Sequence, residues 1–124
     1  ASMWFGMTLD GVAEGTAQLS LTVETHHCNG HGNCHGGVIY ALADSAFAFA
    51  CNSRNQSTVA QHNSITYVAP GKLGDTLVAT AREVSLSGRS GIYDVRIANQ
   101  TGKTIAEFRG GSRAISGTIF EEKT

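Results

Sequence analysis

One carboxylate, that of Asp44, lies in a segment, residues 38–50, whose other members are all apolar or small. His35, Gly36 and Gly37 directly precede this segment. Burying a lone carboxylate is costly unless it is hydrogen-bonded, paired or facing a wet cleft. Asp44 is therefore a candidate nucleophile or general base. The alternative is a structural carboxylate that is satisfied inside the core.

The two glycines supply the second chemical feature. If a helix begins at Gly36, its first backbone N–H groups have no helical partner and carry the positive end of the helix dipole. Glycines at this place let a substrate come close to the backbone, which predicts a site that polarises a carbonyl group. The alternative is a tight turn from loop to helix with no further role.

Cysteines and histidines crowd the loop before this helix, and both residue types are zinc ligands. Their spacing contains no Cys-x-x-Cys pair and no second cluster that would complete a tetrahedral set. We therefore predict no bound metal and a polar loop whose histidines form hydrogen bonds near a cleft. A structural zinc site is the alternative. The residues concerned are His26, His27, Cys28, His31, Cys34 and His35.

Periodicity predicts the elements that position these groups. The apolar residues of 38–50 cover almost the whole circumference of a helix, which indicates a buried helix. It is too short for a membrane span, with Asp44 near its middle. Residues 16–23 alternate apolar and polar, as in a half-buried strand. Further strands are predicted at 58–68, 75–84, 91–98 and 104–115, with hairpin connections at 85–90 and 99–102 and a bulge at Gly110–Gly111.

One helix and five antiparallel strands make an α+β fold in which the sheet curves round the helix. Such a sheet leaves part of the helix uncovered, so we expect a homodimer. Asp44 follows Gly36 by eight residues, which is a rise of about 12 Å along one helix. One reacting carbonyl cannot touch both groups of the same chain, so a reaction that uses both needs two chains.

Length and composition exclude several classes of protein. The 124 residues predict one domain, 1–124, large enough to bury a core. A net charge of −1 gives no electrostatic case for binding nucleic acid or an anionic membrane. The three cysteines are an odd number without the spacing of a disulfide framework, which favours a cytoplasmic location. No signal peptide or lipidation motif is visible.

Several motifs together resemble one family. They are the run Asn33-Cys34-His35-Gly36-Gly37 with its acid at Asp44, residues 47–53, residues 67–71, residues 91–94 and residues 108–110. In these motifs the chain is similar, over about residues 12–116, to hotdog-fold acyl-CoA thioesterases of the phenylacetate-degradation PaaI type. The resemblance implies a curved antiparallel sheet of five to six strands wrapped around one long central helix. It also implies homodimers that pair into homotetramers.

The same resemblance implies an activity. It predicts hydrolysis of aryl- or medium-chain acyl-CoA thioesters, such as phenylacetyl-CoA, to a free acid and CoA. No cofactor is expected, because coenzyme A is part of the substrate. A hotdog-fold dehydratase or a non-catalytic acyl-CoA-binding module is the alternative reading of the same motifs.

Three catalytic residues follow from the resemblance, position by position. Asp44 matches the family's catalytic acid, either nucleophile or general base. Gly36 matches the glycine whose backbone N–H polarises the thioester carbonyl. Asn29 matches a loop Asn or Gln that orients the carbonyl or the water. The family often adds a Ser or Thr early in the strand after the helix, but here that position is Ala60.

The remaining candidates are expected to bind substrate. Gln61 and His62 are possible substitutes for the missing hydroxyl. Arginine side chains suit the phosphates of coenzyme A, although solvated surface arginines are the alternative. The predicted substrate-binding set is His35, Gly37, Gln61, His62, Arg89, Ser90 and Arg113.

Overall fold

The computed structural model describes residues 6–54 and 56–115. These residues form six strands, one α-helix and a single 3₁₀ turn at Thr25–His27. The bounds are β1 Thr8–Ala13, β2 Thr16–Thr22, α1 Gly36–Cys51, β3 Thr58–Tyr67, β4 Thr76–Ser87, β5 Ser90–Ala98 and β6 Thr104–Ala114. The strands make one antiparallel sheet in the order β1-β2-β4-β5-β6-β3, and α1 contacts every strand. The predicted α+β arrangement is confirmed.

Segments at both ends of the predicted domain 1–124 lie outside the described residues. Within residues 6–54 and 56–115, no helix is long and apolar enough to cross a membrane.

The helix α1 buries one broad side against the sheet. Its buried residues recur at helical spacing, as Leu42, Ala43, Ala46, Phe47 and Ala50 do. Phe49, by contrast, is 40% exposed in the single chain. The expectation that the sheet leaves part of the helix uncovered is therefore met on one strip of α1.

The ring of Phe47 shows how closely α1 approaches the sheet. It is 1% exposed and lies against Tyr93 and Phe108, with ring centroids 5.7 and 5.8 Å away. A Cβ atom added to Gly110 of β6 would lie 2.7 Å from the Phe47 ring. Gly110 is therefore required for close contact between helix and sheet, not for a bulge. The predicted bulge at Gly110–Gly111 is placed on the wrong strand: both residues pair in register with β5, and the extra residue lies opposite them in β3, between Ala60 and His62.

Two further sequence predictions need correction. Strand β1 was missed because all six of its residues are exposed and show no alternation. The predicted connection 85–90 is mostly strand, because β4 runs on to Ser87 and pairs with Ser90 around a two-residue turn. Gly88 in that turn has a φ of +60°, a conformation that glycine adopts without steric cost.

Candidate active site

The Asp44 carboxylate contacts an amide on the neighbouring strand. Asn63 of β3 donates a hydrogen bond from Nδ2 to Asp44 Oδ1 at 3.3 Å, and the same nitrogen donates to the Tyr40 hydroxyl at 2.9 Å. Tyr40 and Asp44 are four residues apart on α1, so they share one face of the helix. Asp44 is half-buried. Its carboxylate is thus held in place without being sealed in a dry core.

Burial raises the pKa of Asp44 above its ordinary value, and the hydrogen bond from Asn63 acts in the opposite direction. Burial is the larger of the two effects. A poorly solvated carboxylate is a better base and nucleophile in its ionised form than a fully hydrated one. The surroundings of Asp44 therefore suit a chemical role.

Asn63 is a site residue that the sequence analysis missed. Its side-chain oxygen is buried and has no hydrogen-bond partner among the described residues. Leaving such an atom unsatisfied costs about 1–3 kcal/mol. A water, a substrate or a second chain that brings a donor would satisfy it. The only signal in the sequence was a polar residue within a predicted strand, which does not reveal the face on which it lies.

Gln61 and His62, the expected substitutes for the hydroxyl that is missing at Ala60, form no hydrogen bond with Asp44 among the described residues. Ala60, Gln61 and His62 are all exposed. A shift of register between Ala60 and His62 marks a bulge in β3. Because side chains alternate along a strand, His62 lies on the opposite face of the sheet from Asn63. Within the described part of the chain, Asn63 is the β3 side chain that hydrogen-bonds to Asp44.

Free backbone donors stand at the start of α1, as predicted. The His35 carbonyl accepts the N–H groups of Val38 and Ile39, at 3.0 and 3.2 Å. The N–H groups of Gly36 and Gly37 have no acceptor among the described residues, since neither forms a helical bond at this position. A Cβ atom added at Gly37 would meet nothing within 4 Å. This end of the helix is open to a ligand or a second chain.

Tyr67, at the end of β3, holds the start of α1 against the sheet. Its hydroxyl donates to the Gly36 carbonyl at 2.8 Å. A Cβ atom on Gly36 would lie 3.1 Å from the Tyr67 ring, so the contact favours glycine. Beside it lies a cleft of about 350 Å³ whose walls include Gly36, Ile39, Tyr67, Val68 and Pro70. Asp44 is not among the residues that line this cleft.

The distance between the Asp44 carboxylate and the Gly36 N–H can be estimated in two independent ways, along β3 and along α1. Asp44 contacts Asn63, and Gly36 contacts Tyr67, on the same strand. Four strand residues span about 13 Å, and eight helix residues rise by about 12 Å. The two estimates agree. Within one chain, the Asp44 carboxylate and the Gly36 N–H are too far apart to act on a single carbonyl group.

Asn29 lies in a small hairpin that leads into α1. Its side-chain oxygen accepts hydrogen bonds from the N–H groups of His31 and Asn33, at 2.9 and 3.3 Å. Its backbone N–H donates to the Asn33 carbonyl at 2.9 Å. The side chain is exposed, with its oxygen turned toward its own loop. These contacts leave the amide nitrogen as the group that Asn29 can offer to a ligand.

The structure brings Arg89, Ser90 and Arg113 together at one end of the sheet. Ser90 pairs with Arg113 across β5 and β6, and the Arg89 carbonyl accepts the Ala114 N–H at 2.7 Å. All three side chains are exposed. Among the described residues neither Arg89 nor Arg113 forms an ion pair, whereas the other arginines do: Arg54, Arg82, Arg96 and Arg109. The charges of Arg89 and Arg113 are therefore available to an anion.

The loop rich in cysteine and histidine does not converge on a metal site. Across residues 6–54 and 56–115, no group of three or more His, Cys, Asp or Glu side chains is arranged to hold a metal ion. His27 is 2% exposed, and its Nδ1 accepts the Glu24 N–H at 2.9 Å. This histidine is a hydrogen-bond partner inside the loop, as the sequence analysis predicted for the histidines there.

The chain is similar to known proteins in sequence and in fold. Residues 31–106 match the family model described as the thioesterase superfamily. The chain is 45% identical to the acyl-coenzyme A thioesterase PaaI of Escherichia coli K12, over 94% of this chain and 84% of that one. It superposes with a TM-score of 0.93 on the E. coli PaaI protein from the phenylacetic acid degradation operon, at 44% identity, covering 96% and 86% of the two chains.

A more distant structure is similar as well. A Streptococcus mutans UA159 protein, solved bound to acetyl CoA, matches with a TM-score of 0.85 and 27% identity. The match covers 90% of both chains. The similarity therefore extends over the sheet, α1 and the loop between them, not over one motif alone.

Proposed function

The chain belongs to the thioesterase superfamily and has its hotdog fold, and on that basis we propose that it hydrolyses acyl-CoA thioesters to a free acid and CoA. The observation that carries the proposal is the half-buried carboxylate of Asp44 on the central helix, to which Asn63 of β3 donates a hydrogen bond. A thioester hydrolase needs a polarised carbonyl and an oxygen nucleophile. The free N–H groups at the start of α1 and the carboxylate on its middle turn supply these two functions.

The chemistry can follow either of two routes. In the first, an Asp44 oxygen attacks the thioester carbon, the C–S bond breaks, CoA leaves as a thiolate, and water then hydrolyses the resulting mixed anhydride. In the second, Asp44 takes a proton from a water molecule whose oxygen attacks the same carbon, and the leaving thiolate receives the proton. Both routes place the developing negative charge of the carbonyl oxygen at the Gly36 N–H, and both require ionised Asp44.

The active site is shared between two chains, Asp44 from one acting with the partner's Gly36 and Asn29. The separation of about 12–13 Å between these groups within a chain supports this arrangement. So does the edge of the sheet, because the outer side of β3 pairs with no other strand among the described residues. An unpaired edge strand is a template for a second chain. Homodimers formed in this way associate into homotetramers, as the family resemblance implies.

The substrate is an aryl- or medium-chain acyl-CoA. Apolar and aromatic groups line the cleft beside Gly36, including Ile39, Tyr67 and Val68, and they suit a hydrophobic acyl group. Arg89 and Arg113, which have no carboxylate partner among the described residues, contact the phosphates of CoA, and Ser90 lies between them. His35 and Gly37 flank Gly36 at the start of α1 and are proposed to bind substrate there. Gln61 and His62, which precede Asn63 on β3, complete the proposed substrate-binding set. The cytoplasmic location that the cysteines predict is consistent with an acyl-CoA substrate.

Release of free CoA thiol tests the function directly. Purified protein mixed with a panel of aryl-, medium-chain and short-chain acyl-CoAs should release thiol, detected with a thiol reagent, fastest for the aryl and medium chains. A chelator should leave the rate unchanged, because no metal takes part. A protein that binds these thioesters without releasing thiol would be an acyl-CoA-binding module. Hydration or dehydration of the acyl chain without release would identify a dehydratase.

Asn63→Leu should move the acidic side of the rate profile to higher pH. Activity needs ionised Asp44, so the rate falls as the pH drops through the pKa of that carboxyl. The hydrogen bond from Asn63 lowers this pKa, and its loss therefore makes the rate fall at a higher pH. The measurement is kcat against pH for the variant and the wild type.

Ser64→Ala is the matched control for this change. Ser64 is the next residue on β3 and is exposed, so the alternation of the strand turns it away from Asp44. Its profile should coincide with that of the wild type. An acidic limb that stays in place in Asn63→Leu would show that this amide does not tune the catalytic carboxylate.

A further inference from the structure

Cys28 and Cys34 lie opposite each other across the hairpin that leads into α1. They form an isolated antiparallel bridge. The flanking backbone bonds run from the Asn29 N–H to the Asn33 carbonyl at 2.9 Å and from the His35 N–H to the His27 carbonyl at 2.8 Å. Bonds that flank a pair rather than join it define a non-hydrogen-bonded position. At such a position the Cα atoms are only about 4.5 Å apart and the side chains share one face.

That spacing falls within the Cα separation of disulfides, which is about 4.4–6.8 Å. We propose that Cys28 and Cys34 form a reversible disulfide across this hairpin. The third cysteine is remote from the pair. Cys51 ends α1, fifteen residues after Gly36, which places it about 22 Å along the helix. The inference concerns the thiol chemistry of the loop and does not depend on the proposed hydrolysis.

The hairpin is already held in the geometry that the bond needs. The Cys34 N–H donates to the Gly71 carbonyl at 2.6 Å, and the Leu73 N–H donates to the Gly32 carbonyl at 3.0 Å. A second isolated bridge joins Asn33 to Lys72. These bonds fix the second arm of the hairpin against the segment before β4. The backbone therefore holds the two cysteines opposite each other before any bond forms between them.

The two thiols differ in reactivity. Cys28 is half-exposed, and its Sγ contacts the Glu24 carbonyl at 3.4 Å. Cys34 is buried. Burial, and then the neighbouring Cys28, raise the pKa of Cys34 to about 11. The thiolate is the attacking form of cysteine. Cys28 is therefore the first to react with an oxidant, and Cys34 completes the bond from within the loop.

The oxidant that we infer is a low-molecular-weight disulfide. The Cys28 thiolate attacks one of its sulfurs, which forms a mixed disulfide and releases one small thiol. The Cys34 thiolate then attacks Cys28 Sγ and releases the second small thiol. Two protein thiols are oxidised, one disulfide is reduced to two thiols, and the two protons of the cysteines end on those thiols. Excess small thiol reverses both steps.

Oxidised glutathione is the probe that tests the bond. After incubation, chymotryptic cleavage following Tyr40 separates Cys51 from the pair. The peptide that carries Cys28 and Cys34 should be lighter by two hydrogen atoms and carry no glutathione. Because a disulfide restricts the unfolded chain, the melting temperature should rise by about 5 °C. Dithiothreitol should restore both the mass and the melting temperature.

The cysteine variants separate this bond from other thiol chemistry. Cys28→Ser should show neither the mass change nor the shift in melting temperature, and its half-exposed position makes the replacement structurally mild. Cys51→Ser should form the bond like the wild type. Glutathione that remains attached to Cys28, a bond to Cys51 or a linked dimer on a non-reducing gel would each overturn the proposal. Wild-type protein that stays fully reduced under these conditions would also overturn it.

Discussion

Asp44→Asn is expected to lower the rate of thioester hydrolysis by a factor of about 10² or more, the general range for loss of a general base. The amide has nearly the same shape as the carboxylate, so the contact with Asn63 can persist, but it is neither a base nor a nucleophile. Release of CoA thiol at saturating substrate measures the effect. Circular dichroism and the melting temperature should stay close to those of the wild type.

Asp10→Asn is the matched control for this variant. Asp10 is exposed on β1, accepts a hydrogen bond from Ser20 and lies at the opposite edge of the sheet order from β3. The same chemical change should leave turnover unaffected there. Near wild-type turnover in a correctly folded Asp44→Asn protein would remove this carboxylate from the mechanism and favour a structural role for it.

Mixed dimers of two impaired chains are expected to regain activity. Suppose that Asp44 of one chain acts with the partner's Gly36 and Asn29. In a dimer of an Asp44→Asn chain with an Asn29→Ala chain, both substitutions then fall in the same active site. The other site is then intact. The expected activity is about half that of the wild type, and well above the mean of the two parents. Co-expression with different tags and isolation of the doubly tagged species provide the material.

Two control measurements make that experiment decisive. Asn29→Ala must itself be clearly impaired, because its exposed side chain also accepts hydrogen bonds from its own loop. The separated parents, measured at the same concentration, exclude re-formed homodimers. Tetramers dilute the gain without changing its sign. Mixed species no more active than the average of the parents would mean that each chain carries its own complete site.

Some features that position the site are local, and for that reason the sequence analysis predicted them. The helix around Asp44 follows from apolar residues repeating with a period of 3.6, and β2 from residues alternating with a period of 2. The distance from Gly36 to Asp44 follows from the rise of a helix alone. Each is a property of a continuous segment. The exposed strand β1 has neither period, which is why it was missed.

Only the tertiary structure determined which side chains contact Asp44 and Gly36, because those contacts depend on which strand lies beside the helix and in what register. A shift of one residue reverses the face of every side chain in a strand. The register of β3 against β6, which sets Asn63 opposite Gly110, therefore determines that Asn63, and not His62, lies beside Asp44. Tyr67 contacts Gly36 because the same strand runs antiparallel to α1 toward the start of the helix. The pairing of Cys28 with Cys34 likewise comes from backbone bonds between segments, which no period along the chain encodes.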